Sequence, residues 1–144
     1  MKPFRFPLQK VLAWRRSELD AAERKFRQSA AALAAVDRER AALEAAGIQA
    51  EMLVRGWSPL CGRDLSALGS FRVHVRKSDQ QLAAQRTQCS ARLAAARGAM
   101  LEARRRLRLL ERLQDRRLED WRAARDKELE DLASESYLAR WSHP

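Results

Sequence analysis

The chain is poor in the residues that interrupt helices: it has only five glycines and four prolines among 144 positions. That scarcity excludes a fold of many short elements, because glycine and proline supply the turns between them. Aromatics make up 6%, too few for the thick core of a globular domain of this length. No apolar run approaches the roughly 20 residues that span a bilayer, so no transmembrane segment is expected. The start, Met1 to Arg16, has no uninterrupted apolar stretch and no small-residue cleavage site, and no signal peptide is read there. Two cysteines, Cys61 and Cys89, form neither a disulfide framework nor a metal spacing. The expected location is the cytoplasm, or the cytoplasmic face of a membrane.

Catalytic chemistry is also missing from the pattern. His74 and His143 complete no metal set with the cysteines. There is no glycine-rich phosphate loop and no grouping of nucleophile, base and orienting residue. Carboxylates such as Glu102, Glu111 and Glu119 are spread along helical sequence. The chain reads as a non-enzyme that needs no cofactor and no metal.

What is present is helix-forming sequence rich in Ala, Arg, Leu, Glu and Gln, with 33% charged residues. One region breaks it, Gly56-Trp57-Ser58-Pro59-Leu60-Cys61-Gly62-Arg63-Asp64. Gly56 is placed to end a helix in a left-handed cap, and Asp64 or Ser66 to cap the next one. The expected helices cover about 4–55 and 65–140, with the turn at about 56–64. Pro3 and Pro7 belong to the entry of helix 1, where a first-turn proline does no harm.

Before the turn, Leu8, Leu12, Arg15, Leu19, Ala22, Phe26, Ser29, Leu33, Val36, Arg40 and Leu43 alternate spacings of four and three. Eight of these eleven are apolar, which marks a seam. After it, Leu65, Leu68, Arg72, Val75, Asp79, Leu82, Arg86, Cys89, Leu93, Ala96, Met100, Ala103, Leu107 and Leu110 keep one register. It then shifts to Leu113, Leu118, Trp121, Leu129 and Leu132. Neither helix can hide its stripe alone, so the two should pair as an all-α antiparallel coiled-coil hairpin, a single domain. A symmetric turn sets Leu33 across from Ala84 to Arg86, and Leu8 near Arg112. The second helix, at ~1.5 Å per residue, would be roughly 110 Å long, its last two or three turns projecting past the first.

The formal net charge is +10, which suggests an acidic partner: a protein surface, an anionic membrane or a nucleic acid. Arg104-Arg105-Arg106-Leu107-Arg108 with Arg112, Arg116 and Arg117 forms a cationic stretch that suits electrostatic docking or simply solubility. Interleaved acids across 111–131 and the lack of stacking platforms or a recognised module argue against nucleic acid. Phe71, Val75, Ser78 and Leu82 form a second stripe on the early second helix, with Phe71 and Ser78 one position off the seam. It either widens the core or offers a patch to a partner groove.

Three stretches, in order, resemble the FliJ family of the flagellar type III export apparatus. The opening Phe4-Arg5-Phe6-Pro7-Leu8-Gln9-Lys10-Val11-Leu12, with Arg15, Glu18 and Ala22, is similar to the family's start. Ser66-Ala67-Leu68 leading to Phe71 is similar to its segment after the turn. Leu110-Glu111-Arg112-Leu113-Gln114-Asp115-Arg116-Arg117, then Glu119, Lys127-Glu128 and Asp131-Leu132, is similar to its C-terminal run.

The resemblance implies a helical hairpin related to the central stalk of rotary ATP synthases. Such a protein binds the hexameric export ATPase and promotes ring assembly, touches the large membrane export-gate protein, and handles free export chaperones. Carried over, the gate contact falls on Phe71, Val75, Ser78 and Leu82. Charge and geometry then place the ring contact at Leu8, Leu12, Arg15, Arg16, Arg112 and Arg116. The hairpin is shared with stalks of virulence-type secretion systems, and a coiled-coil adaptor outside export or a nonspecific nucleic-acid binder are the alternative readings.

Overall fold

The computed structural model describes residues 1–142. Two α-helices, α1 (Gln9–Arg55) and α2 (Gly62–Ser142), make an all-α helical hairpin joined by one short turn. The predicted break is where the chain turns, because Gly56, Pro59 and Gly62 cluster only there.

The helix ends differ from expectation in three ways. α1 starts at Gln9 and not near residue 4; residues 1–6 are irregular, and the Gln9 amide donates to the Phe6 carbonyl, 3.2 Å. Gly56 does not adopt a left-handed conformation; no residue of the turn does. Its amide instead donates to both the Met52 and Leu53 carbonyls (3.3 and 3.2 Å), and Trp57 N–H donates to Val54 O at 3.1 Å. Tightening the last turn satisfies carbonyls that a left-handed cap would otherwise satisfy. α2 starts at Gly62, so Asp64 lies inside its first turn and reaches back to Cys61. Its carboxylate accepts from the Cys61 amide (3.1 Å) and thiol (3.2 Å). These two bonds, the amide first, hold the Asp64 carboxyl below its ordinary range. This is the back-reaching half of a capping box, made by an aspartate.

The chain divides into two compact units, each pairing a piece of α1 with a piece of α2. The first unit is Met1–Ala21 with Leu101–Pro144. Its core is Phe6, Leu12 and Leu107, with Phe4, Leu19, Leu110 and Leu113 packed against it. Leu12 alone among the described large side chains is completely buried. The N-terminal segment is strapped to α2: Trp121 Nε1–H donates to Lys2 O (3.1 Å), and the Phe4 and Trp121 rings lie 6.1 Å apart. The side-chain amide of Gln114 donates to that of Gln9 (3.2 Å) and Arg106 faces Glu18 (3.7 Å), so the two helical segments of this unit run antiparallel. From Arg122 to Ser142 every residue of α2 is exposed, about six turns and not the two or three expected. Leu129, Leu132, Tyr137 and Trp141 stand in this exposed part.

The second unit is Ala22–Met100. Val36, Val54 and Ala96 are its buried apolar residues. Leu33, Leu43, Val75, Leu82 and Leu93 are half-buried along the predicted seam. Three ion pairs cross between the helices: Arg86–Asp37 at 2.7 Å, Arg40–Asp79 at 3.0 Å and Arg72–Glu51 at 2.8 Å. Arg40 and Asp79, each a polar position of its register, are thus each other's partner; the hydrogen bond that Arg40 donates to Asp79, and then the charge of Asp79, raise the Arg40 pKa. Exposed pairs of this kind add little stability each but discriminate against slipped registers. Arg40–Asp79 sets Leu33 opposite Arg86, at the edge of the expected stretch, and Arg86–Asp37 sets it opposite Ser90, one turn further on.

None of the five glycines has a positive φ. A Cβ at Gly69 or Gly98 would meet nothing within 4 Å, and both lie inside α2. Gly69→Ala and Gly98→Ala should therefore each stabilise the chain by roughly 0.5–1 kcal/mol, through lower unfolded-state entropy and better helix propensity. Thermal unfolding of the double variant should show the gains adding; a lowered midpoint would mean one site hosts a close approach.

Candidate functional site

Phe71, Val75, Ser78 and Leu82 are all half-buried on α2. The stripe therefore does widen the seam, yet it remains partly open. Phe71 and Val75 form one wall of a groove of about 710 Å³ within the second unit; Leu43, Gly47 and Ile48 of α1 form the other. Gly47 contributes to its width: the absent Cβ would stand 3.7 Å from Val75 Cγ1. Ile48 is more than half exposed, and the Phe71 ring lies 6.4 Å from that of His74. The Arg40–Asp79 and Arg72–Glu51 pairs line the same groove, as do Asp37, Glu44 and Arg76. Apolar side chains among charged ones suit the apolar ridge of a partner helix or extended segment flanked by polar residues. Ser78 and Leu82 stand outside the groove lining. Of the α1 wall, Leu43 lies on the predicted register, whereas Gly47 and Ile48 lie past its last position and carry no signal in the sequence beyond an isolated glycine.

The second set of predicted residues lies in the first unit and does not form one surface. Leu12 is completely buried, which corrects its assignment: a side chain without exposed surface packs the core and cannot meet a partner. Leu8 is partly exposed. Arg15 is half-buried, bonded to Glu18 at 2.8 Å, and its guanidinium lies 4.7 Å from the Trp14 ring centre. Arg16 faces Glu111 at 3.9 Å. Arg112 and Arg116 are exposed and make no ion pair among the described residues. They are the members of the set free to meet an acidic surface.

Among the described residues, no group of three or more His, Cys, Asp or Glu could hold a metal ion. His143 lies outside the described residues. Cys61 and Cys89 are free thiols, one exposed and one half-buried. Among the described residues no helix is long and apolar enough to cross a membrane. Comparison with protein-family models, with curated proteins and with solved structures finds no match to this chain.

Proposed function

We propose that the chain is a non-enzymatic, stalk-like component of the flagellar type III export apparatus. It binds the export ATPase ring, promotes ring assembly, and couples the ring to the large membrane export-gate protein at the cytoplasmic face of the inner membrane. Handling of export chaperones belongs to the same reading. The observation that carries it is the open apolar groove at Phe71 and Val75, at the position where the FliJ resemblance puts the gate contact. The helical hairpin supports it, since a paired helix of this kind transmits position without a pocket. The unpaired Arg112 and Arg116 support the ring contact, because exposed cations speed encounter with an acidic surface.

Charge reversal tests the ring contact. Arg112→Glu with Arg116→Glu should slow association with the export ATPase several-fold at low salt and flatten its salt dependence. The same association rate and the same salt slope as wild type would remove these arginines from the contact.

A further inference from the structure

The turn carries exposed apolar and cationic side chains, of which only Arg72 and Arg76, further along α2, also line the groove. Met52, Leu53, Trp57, Leu60 and Leu65, within fourteen consecutive residues, are all exposed large hydrophobics, with Trp57 at 49% and Leu53 at 64%. Val54 is the only buried side chain in this stretch. From Met52 to Lys77 the chain has five cations, Arg55, Arg63, Arg72, Arg76 and Lys77, against the single acid Asp64. Arg72 is bonded to Glu51, and Asp64 is occupied by Cys61. Arg55, Arg63, Arg76 and Lys77 make no ion pair among the described residues.

We infer that this turn docks on the surface of an anionic lipid bilayer, with Trp57 and Leu60 in the interface and Arg55 and Arg63 among the headgroups. Tryptophan is favoured at the level of lipid headgroups, where its ring is half-solvated. Leucine side chains beside it add buried apolar area, and each cation near an anionic surface adds roughly fivefold in affinity. A second copy of the chain fits less well, because two turns of the same positive charge repel each other. The inference stands on the turn alone and holds whether or not the export reading does.

The test is co-sedimentation of the full chain with vesicles of phosphatidylglycerol and phosphatidylcholine, against vesicles of phosphatidylcholine only. The wild type should bind the anionic vesicles, and binding should fall as salt rises. Trp57→Ala with Leu60→Ala, and separately Arg55→Glu with Arg63→Glu, should each weaken binding by about tenfold or more. All four side chains are exposed, so far-ultraviolet circular dichroism should not change. Absence of binding to anionic vesicles overturns the inference. Binding retained by both variants overturns it too, and points to the arginines of 104–117. Concentration-dependent self-association of the wild type that the Trp57/Leu60 variant loses, without lipid binding, would make a second copy the occupant.

Discussion

Leu12→Ala should cost about 3 kcal/mol of stability, the largest effect expected of any single truncation in the chain. Its side chain is fully buried and is enclosed by Phe6 and Leu107, with Phe4, Leu19, Leu110 and Leu113 around them. Truncation removes the transfer energy of the lost carbons and leaves a cavity that two helices and an irregular segment close only in part. A domain's whole stability is about 5–15 kcal/mol, so such a loss shifts urea unfolding visibly. Leu8→Ala, on a partly exposed side chain four residues earlier, should cost less than about 1 kcal/mol. Equal losses at the two positions would mean that Leu12 is not at the centre of this core.

Phe71→Ala should weaken binding to the cytoplasmic part of the export-gate protein by about thirtyfold, while helical content stays at its wild-type value. The factor corresponds to about 2 kcal/mol, the size expected when an aromatic anchor at the centre of an interface is truncated. Phe71 is half-buried and lines the open groove, so part of its ring contributes to the seam and part is available. Isothermal titration read beside circular dichroism separates the two roles. Loss of binding together with helicity assigns Phe71 to the core; loss of binding alone assigns it to the interface. Val75→Ala, on the same wall, should act in the same direction with a smaller effect.

The hairpin itself was legible because periodicity and punctuation agree. Long runs of helix formers bracket one cluster of glycine and proline, and Leu12, Val36, Ala96, Ala103 and Leu107 stand buried on the predicted registers. Periodicity names the face of a helix but not its partner. The alignment of α1 against α2 is set by Asp37–Arg86 and Glu51–Arg72, pairs 49 and 21 residues apart that no local pattern announces. Phe4 and Phe6 read as helical yet lie in an irregular segment before Gln9, where they reach α2. The Gly56 assignment failed because a tightened last turn satisfies the same carbonyls without a left-handed residue. The candidate site was half visible: Phe71 and Val75 were read from α2, while Gly47 and Ile48 belong to a wall that exists only once α1 is aligned. Leu12 was assigned to a docking surface because a seam position shows no sign in sequence of how deeply it will be covered.

The proposed stalk role requires this hairpin to act on an export ATPase. The decisive measurement is the turnover and oligomeric state of the flagellar export ATPase from the same organism, with and without the purified chain. Faster ATP hydrolysis and a larger hexamer fraction are expected at near-stoichiometric chain. Unchanged turnover and an unchanged monomer–hexamer distribution at that ratio would contradict it.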